Sequence, residues 1–481
     1  MLDAVLDSMK EIKLARRAVS FMPDAIGFSI MTGQEVESVI AIYNECKRVL
    51  KEKKVHWLAG GNFITYETDQ ALKILPEDFI MVRFEGENAL EQLSSSWLAD
   101  HNSDDDKTEP GQRVIISPNV KDLNTLNFPS RPFADHIMSM DRAFNIQGSR
   151  GCCGGCKYCS SPGARNPDTA HWRGRSIENI VAEMAELNKR FQASSFNIID
   201  EDFLGPNKLS LKRAREFTQE LNARELKISF SIQVRPDSLN NEIIDLLSAN
   251  GLCYIFIGIE SDDYNDFKRW GRPWVNDPWQ LVARLQSNNV EVGAGVLLFH
   301  PESTFTGIHR FATILQKYKL LNYRSAINRM DAMPGSVFYK TKVQTGGLNQ
   351  TIGPQQLDFN DKKIDCLYKD LAIALCPLGP PSMHALCALP PLIAKCRRFK
   401  GFDDNYNELK RIIEYFDASV AETLFGLLDH HMKENVNPDF VLDLQKQNFQ
   451  TALTGAKDLF KYGFAVSFDE LRNAIQIDSG L

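Results

Sequence analysis

The chain has 481 residues, of which 43% are hydrophobic and 24% are charged, and its formal net charge is −7. This composition is ordinary for a globular protein of about two to four domains. An acidic chain disfavours a sequence-independent grip on nucleic acid, which needs a basic face. No apolar run reaches the roughly 18 residues that cross a bilayer, and the first residues lack a signal-peptide core. We therefore expect a cytoplasmic protein with no membrane span, and ten cysteines in so long a chain do not indicate a disulfide scaffold.

Residues 1–112 are predicted to alternate helices and strands, which indicates a parallel sheet with crossover helices and ends in an exposed acidic connection. Strands are expected at 25–30, 55–59 and 79–84. Ser29 lies at the end of the first strand, and the pair Gly60 and Gly61 follows the second. Glycines at strand ends of a parallel sheet can form a ligand crevice.

Residues 113–345 continue the same rhythm as six strand–helix units, which predicts a partial (β/α)6 barrel or an open wound sheet. Strands are expected at 143–147, 195–199, 228–233, 254–258, 290–298 and 325–329. Ligands in such barrels bind at the carboxyl ends of the strands.

Residues 346–481 differ from the rest, because five prolines are expected to break the chain before a mostly helical domain. The prolines are Pro377, Pro380, Pro381, Pro390 and Pro391. Helices are predicted at 405–416, 420–433, 439–460 and 468–475. This domain is expected to cap the barrel and select the substrate.

The most informative motif is a glycine-rich loop directly after the first barrel strand. It contains Cys152, Cys156 and Cys159 with the spacing C-x3-C-x2-C. Three thiolates this close can converge on one metal centre, and iron–sulfur clusters are held by cysteine thiolates, four for a cubane. With only three offered, one iron would keep an open position, as catalytic sites require.

Two structural interpretations compete with the cluster. A zinc site would need four ligands, but no second C-x-x-C or H-x3-H partner is present. The thiols could also simply be buried, since a cysteine without a partner behaves as a small hydrophobe. That is the interpretation for Cys376, Cys387 and Cys396, and the adjacent Cys153 is not expected to be a ligand.

The loop resembles the radical S-adenosylmethionine (radical SAM) superfamily, in which the open iron chelates the amino and carboxylate groups of SAM. Tyr158, just before the last cysteine, also fits the family pattern. The resemblance implies a 4Fe-4S cluster on Cys152, Cys156 and Cys159 with SAM as cosubstrate. Reductive cleavage of SAM would give methionine and a 5′-deoxyadenosyl radical.

Further landmarks of the family occur in family order at the ends of the next strands. An acid near the SAM amino group is implied at Asp200 or Glu201. Arg235 resembles the arginine that contacts the SAM carboxylate, with a salt bridge to a neighbouring acid as its structural alternative. Glu260 and Ser261 match a G-I-E-S pattern, in which the glutamate accepts from the ribose hydroxyls.

The first 112 residues resemble the Rossmann-like cobalamin domain of one radical SAM subgroup, with Ser29, Gly60 and Gly61 in the cobalamin-binding positions. The domain looks incomplete, because the family begins with an additional strand–helix–strand unit. No D-x-H-x-x-G motif offers a lower-axial histidine. Whether cobalamin binds is therefore left open at this point.

The expected function is a radical SAM enzyme that abstracts hydrogen from a small-molecule or peptide substrate, with a flavodoxin- or ferredoxin-type electron donor. With cobalamin, the outcome implied by the subgroup is methyl transfer to an unactivated carbon. Without it, rearrangement, oxidation or cyclisation is the alternative. An alternative of another class is a non-catalytic iron–sulfur or zinc scaffold protein.

Overall fold

In a computed structural model the chain divides into two compact units. The structure describes residues 11–51, 53–100, 113–139, 143–161, 171–275, 277–345, 353–398, 404–433 and 437–461. The N-terminal unit comprises Met1–Leu126, Gly154–Arg173 and Asp331–Gln356. The barrel unit comprises Asn127–Cys153, Gly174–Met330 and Leu357–Leu481. The domain boundaries predicted at residues 112 and 345 stay a prediction.

Parallel strands form the two main sheets, which confirms the α/β class. The strands are β1 (Ala25–Ser29), β2 (His56–Gly60), β3 (Phe79–Arg83), β4 (Val114–Ile116), β5 (Phe144–Ile146), β6 (Ser149–Gly151), β7 (Trp172–Gly174), β8 (Ser195–Ile198), β9 (Ser229–Val234), β10 (Leu252–Glu260), β11 (Glu291–Val296), β12 (Asp331–Ala332) and β13 (Gln355–Gln356).

Helices follow most of these strands and dominate the C-terminal region. They are α1 (Glu11–Val19), α2 (Val36–Leu50), α3 (Asn62–Tyr66), α4 (Thr68–Ile74), α5 (Glu87–Asp100), α6 (Ala134–Ser139), α7 (Ile177–Phe191), α8 (Asn207–Ala223), α9 (Asn241–Ala249), α10 (Tyr264–Trp270), α11 (Pro278–Ser287), α12 (Phe305–Lys317), α13 (Tyr323–Ile327), α14 (Val337–Gln344), α15 (Lys362–Leu375), α16 (Gly379–Arg398), α17 (Asp404–Met432) and α18 (Pro438–Lys461).

The N-terminal sheet has four parallel strands in the order β1-β2-β3-β4. The expectation of only three strands was wrong, because Val114–Ile116 pairs with β3 after the acidic connection. Within the described residues this order is sequential and never reverses. Doubly wound sheets place their ligand crevice at such a reversal, so the predicted crevice lacks its usual topological origin here.

Gly61 is required by the backbone of this sheet. Its φ of +96° is one that side chains disfavour, and a Cβ there would lie 2.5 Å from the carbonyl oxygen of Ile30. The two segments are already hydrogen-bonded, since the Ile30 amide donates to Gly60 O at 2.8 Å. Gly61 therefore allows two strand ends of the protein to pack closely against each other.

Gly61→Ala is expected to destabilise the N-terminal sheet by more than about 1 kcal/mol, because it adds both strain and a clash. Gly60→Ala is the matched control, since a Cβ there meets nothing closer than Val82 O at 3.6 Å. Hydrogen exchange of the β1 and β2 amides measures the difference. Equal exchange rates in the two variants would show that Gly61 is not needed for packing.

The barrel unit is built on a five-stranded parallel sheet in the order β11-β10-β9-β8-β5. Alternate residues of the central strands point into a large apolar core and are almost fully buried, as Phe196, Phe230 and Ile255 illustrate. Helix caps fix where the following helices begin; Ser176, for example, accepts from the Asn179 amide at the start of α7. Five of the six predicted strands are confirmed in this sheet.

The sixth predicted strand, at 325–329, was wrong. Asn322 and Ser325 form a reciprocal capping box that starts the short helix α13 instead. Only an isolated parallel bridge from Arg329 to Phe299 remains of the expected pairing. The local side-chain caps outweigh the weak strand pattern of this segment.

The prolines of the C-terminal region do not break the chain as predicted. Pro380 and Pro381 lie in the first turn of α16, where their missing amide hydrogens cost nothing. The helices predicted at 405–416 and 420–433 are one helix, α17. The helix predicted at 468–475 lies outside the described residues.

Within the described parts of the chain, one helical stretch, Lys362–Pro390, is long and apolar enough to cross a membrane by length and composition alone. Half of its most apolar window is buried inside the protein. The core helices of water-exposed proteins meet the same criterion, so this stretch is weak evidence for a membrane span.

Candidate active site

The cysteine loop begins in the barrel unit and continues in the N-terminal unit. Cys152 follows β6 and the left-handed Gly151, whose φ is +85°. Cys156 is buried, and its carbonyl accepts from the Cys159 amide at 3.1 Å. The Cys159 sulfur in turn accepts from the Ser161 amide at 3.4 Å. The described cysteines form no disulfide.

The donor set of this loop fits an iron–sulfur cluster chemically. Gly155 lies within the motif, and an added Cβ there would meet no atom within 4 Å. However, no three His, Cys, Asp or Glu side chains among the described residues are arranged to hold a metal ion. Convergence of Cys152, Cys156 and Cys159 on one centre therefore stays a prediction.

Asp200 anchors the start of the loop. The Gly148 amide donates to Asp200 Oδ1 at 2.6 Å, and the Ser149 hydroxyl donates to Oδ2 at 2.7 Å. A Cβ at Gly148 would lie 3.0 Å from this carboxylate, which explains the glycine. Asp200 is 2% exposed, and Glu201 is exposed. Of the two acids predicted to meet the SAM amino group, Glu201 is the one that solvent can reach.

Burial raises the pKa of Asp200 to about 6. An unfolded aspartate ionises at about pH 4, whereas folded Asp200 retains its proton to higher pH. The retained proton stabilises the folded protein, and this stabilisation is complete below about pH 4. This contribution, of about 3 kcal/mol, is lost as the pH rises to about 6. We expect the free energy of unfolding of wild type, relative to that of Asp200→Asn, to fall over this window. Urea unfolding at about pH 4.5 and pH 6.5 measures it, and an unchanged difference would contradict the prediction.

Behind the loop lies a buried ionic network that the sequence analysis missed. Glu183 of α7 is 2% exposed and accepts from two arginines: Arg175 Nη1 donates to Oε2 at 2.6 Å, and Arg131 Nη2 donates to Oε1 at 2.7 Å. Arg175 also donates to Gln147 O at 2.8 Å. The available signal was an acid within an apolar helix face that includes Ile180.

Arg213 of α8 completes the support from the other side. Its guanidinium donates to the carbonyl oxygens of Gly148, Arg175 and Phe203 at 3.1, 2.9 and 2.8 Å. Burial lowers the pKa of Arg213 to about 10, although the charge of Asp200 opposes the shift. The residue therefore binds the backbone at the beginning of the cysteine loop.

Arg235 forms a salt bridge, which the sequence analysis gave as the structural alternative to contact with the SAM carboxylate. Nε and Nη2 donate to the two oxygens of Asp237 at 3.0 and 2.6 Å, and Nη2 also reaches Asn207 Oδ1 at 2.9 Å. Asp202 Oδ2 lies 3.8 Å from Arg235 Nε, and burial raises the pKa of Asp202 to about 7. Burial opposes the shift at Arg235, but the charge and hydrogen bond of Asp237, together with the charge of Asp202, raise the pKa of Arg235.

Glu260 lies in a left-handed conformation, with φ of +67°, at a bulge that ends β10. Such conformations are costly for a side-chain-bearing residue and cluster at functional sites. The carboxylate turns back over the strand, so that a Cβ at Gly258 would lie 2.7 Å from Oε1. Arg272 supports this arrangement, with Nη1 3.6 Å from Glu260 Oε1 and Nη2 donating to Gly258 O at 2.5 Å.

Ser261 differs from its predicted partner Glu260, because its hydroxyl is used within the fold. It donates to the buried Asp266 at 2.6 Å and accepts from the Asp263 amide at 3.1 Å. His300 Nε2 lies 3.5 Å from the same Asp266 carboxylate. Both Ser261 and His300 therefore belong to a packing network at the start of α10.

The N-terminal candidates lie at strand ends of their own unit. Ser29 is exposed, while Gly60 and Gly61 lie at the end of β2. Glu85, two residues after β3, is ion-paired with Arg173. Cobalamin binding at these residues stays a prediction.

Comparison with known proteins identifies the family. A family model described as the radical SAM superfamily matches residues 146–312. The chain is also similar to the cobalamin-dependent SAM radical enzyme OxsB, whose structure with aqua-cobalamin and SAM has a TM-score of 0.70 at 17% identity and covers 99% of this chain and 78% of that one. Residues 146–312 of this chain therefore form a radical SAM domain. The cofactors of that superfamily are a 4Fe-4S cluster and SAM.

Relatives found by sequence match a smaller part of the chain. An uncharacterized methyltransferase of Pyrococcus horikoshii is 22% identical over 285 residues, which is 54% of this chain and 57% of the relative. The 4′-phospho-dehydrooxetanocin synthase of Priestia megaterium is 24% identical over 321 residues, or 60% and 42% of the two chains. The chain thus spans about half the length of these relatives. The methyltransferase TsrM of Kitasatospora setae has a related fold, with a TM-score of 0.59 at 15% identity, covering 75% and 76% of the two chains.

Proposed function

We propose that this radical SAM enzyme cleaves SAM reductively, abstracts hydrogen from a small-molecule or peptide substrate and methylates an unactivated carbon with the help of cobalamin. The observation that carries the proposal is the C-x3-C-x2-C loop at the carboxyl edge of a parallel sheet. When bound, the cluster supplies one electron to SAM, which breaks into methionine and the 5′-deoxyadenosyl radical.

The residues of the chain would hold the reactants. Cys152, Cys156 and Cys159 would ligate the cluster, with Tyr158 beside the last of them. Arg235 would attract the SAM carboxylate despite its existing pair with Asp237, since its second terminal nitrogen, Nη1, is not used in the pairs with Asp237 and Asn207. This part of the proposal is supported by the radical SAM family match over residues 146–312, which include Cys152 and Arg235.

Glu201 and Glu260 would accept from the amino group and the ribose hydroxyls of SAM. Asp200, Arg175 and Arg213 would keep the start of the loop in place. The electron would come from a flavodoxin- or ferredoxin-type donor, which fits a cytoplasmic location.

Anaerobic reconstitution with iron and sulfide, followed by dithionite and SAM, tests the enzyme proposal. We expect release of 5′-deoxyadenosine and methionine in equal amounts. A protein that holds an intact cluster but releases no 5′-deoxyadenosine would instead be the non-catalytic scaffold.

The cobalamin part has a competing candidate, radical chemistry without cobalamin. Two observations favour it: the sequential strand order of the N-terminal sheet and the use of Gly61 for packing against Ile30. Purification with hydroxocobalamin and a visible spectrum separates the two. Retained corrin absorbance supports methyl transfer, whereas its absence favours rearrangement, oxidation or cyclisation.

A further inference from the structure

The barrel sheet has two faces of different chemistry. On one face the strand residues are almost fully buried against the helix-packed core. On the opposite face, called here the inner face, Asn145 is exposed, and Asn197, Ser231 and Tyr254 are partly exposed. The register places these four in one row across neighbouring strands, Asn145 beside Asn197, Asn197 beside Ser231, and Ser231 beside Tyr254. We call them the inner-face row.

A polar row is unusual in this position. Strands of parallel sheets are normally apolar on both faces, and closed barrels fill their interior with branched aliphatic side chains. If the row had only a structural role, its amide and hydroxyl groups would be buried and all of them would be hydrogen-bonded. Here Asn145 is exposed and the other three residues stay partly exposed, so solvent reaches the row.

Glycines make room beside the row. Gly293 and Gly295 of β11 lie opposite Phe256 and Gly258 of β10. A Cβ at Gly293 would lie 2.0 Å from the Tyr254 hydroxyl, and one at Gly295 would lie 3.3 Å from Glu260 Oε1. The glycines therefore let the phenol and the carboxylate project over the inner face.

The row offers hydrogen bonds of both kinds but no charge. Ser231 Oγ donates to Asn197 Oδ1 at 2.9 Å, and Asn197 Nδ2 donates to Asn145 Oδ1 at 3.4 Å. No hydrogen bond in the described part of the chain uses Asn145 Nδ2 as donor or Ser231 Oγ as acceptor. None of the hydrogen bonds among the described residues uses the Tyr254 hydroxyl.

The row lies below the residues assigned to SAM. Asn197 precedes Asp200 by three residues, which is about 10 Å along a strand. Helix α16 contacts β9 and β10. Cys387 is exposed, so the prediction that it is a buried, hydrophobic residue was wrong.

We propose that the inner-face row binds an uncharged part of the substrate that carries hydroxyl or amide groups. The inference rests on the proposed function only in taking the barrel interior as the substrate site. It assigns a substrate of the sugar, nucleoside or peptide-amide type and disfavours a hydrocarbon lipid.

Saturation-transfer NMR on the cluster-loaded protein tests the proposal with four probes: uridine, methyl glucoside, N-acetylglycinamide and farnesol in detergent. We expect at least one of the three polar probes to bind wild type. Asn197→Leu should abolish that signal, and Tyr254→Phe, which keeps the ring, should weaken binding about five- to tenfold. Asn222→Leu on the exposed surface of α8 is the matched control and should behave as wild type.

Binding of farnesol alone would overturn the proposal. So would a polar-probe signal that is equal in wild type and Asn197→Leu, or no polar-probe signal at all. Iron content and thermal unfolding show that each variant is folded. Because the readout does not involve SAM cleavage, release of 5′-deoxyadenosine by the same preparation separates a failure of this inference from a failure of the proposed function.

Discussion

Cys156→Ala is expected to lose the cluster completely. A cubane needs thiolate ligands, and removal of one of three leaves two irons without a protein ligand. Reconstituted wild type should contain about four irons per chain and the variant less than about one. Iron and sulfide analysis, together with the visible absorption near 400 nm that is roughly typical of such clusters, measures the loss.

Cys153→Ala is the matched control in the same loop. Burial raises the pKa of the Cys153 thiol, which disfavours the thiolate that binds metal. This variant should retain its iron. Loss of iron in Cys153→Ala, or its retention in Cys156→Ala, would mean that the three ligands were chosen wrongly.

Glu183→Ala is expected to destabilise the barrel unit by about 3–5 kcal/mol. The substitution leaves Arg175 and Arg131 without the buried carboxylate that both contact at 2.7 Å or less. Breaking a buried ion pair costs this much because an uncompensated charge remains. Total stabilities are about 5–15 kcal/mol, so the loss should be plain in urea unfolding.

Glu186→Ala in the same helix provides the control. Glu186 pairs with Arg190 at 2.9 Å, but both side chains are largely exposed, at 45% and 59%. Exposed pairs of this kind contribute about 0.5 kcal/mol or less. If the two variants unfold at the same urea concentration, the network around Glu183 does not stabilise the barrel unit as predicted.

Local sequence patterns predicted much of the barrel. Strand alternation placed five strands and their helices, because a central parallel strand carries its own apolar signal. The spacing of Cys152, Cys156 and Cys159 directly after the first strand located the site at the carboxyl edge. A radical SAM family model matches residues 146–312, which include this loop, while the roles of the three cysteines stay a prediction.

The errors arose where a local contact or a distant partner decided the structure. The capping box of Asn322 and Ser325 turned a predicted strand into a helix. The fourth N-terminal strand was missed because Val114–Ile116 is only three residues long and pairs across the acidic connection.

Contacts between residues that are distant in sequence could not be predicted either. Arg131 and Glu183 are 52 residues apart, so no spacing rule connects them. The bonds from Asp200 to Gly148 and Ser149 likewise depend on the sheet that brings β5 and β8 together. The acid run was predicted to be functional, but the structure was needed to show which of its members faces the solvent.

Electron paramagnetic resonance of the dithionite-reduced, cluster-loaded chain, recorded with and without SAM, tests the central claim most directly. If three cysteines hold a cubane whose fourth iron is open, added SAM will bind that iron and change the spectrum of the reduced cluster. A spectrum that SAM leaves unaltered, or iron bound only as single tetrahedral ions, would contradict the account.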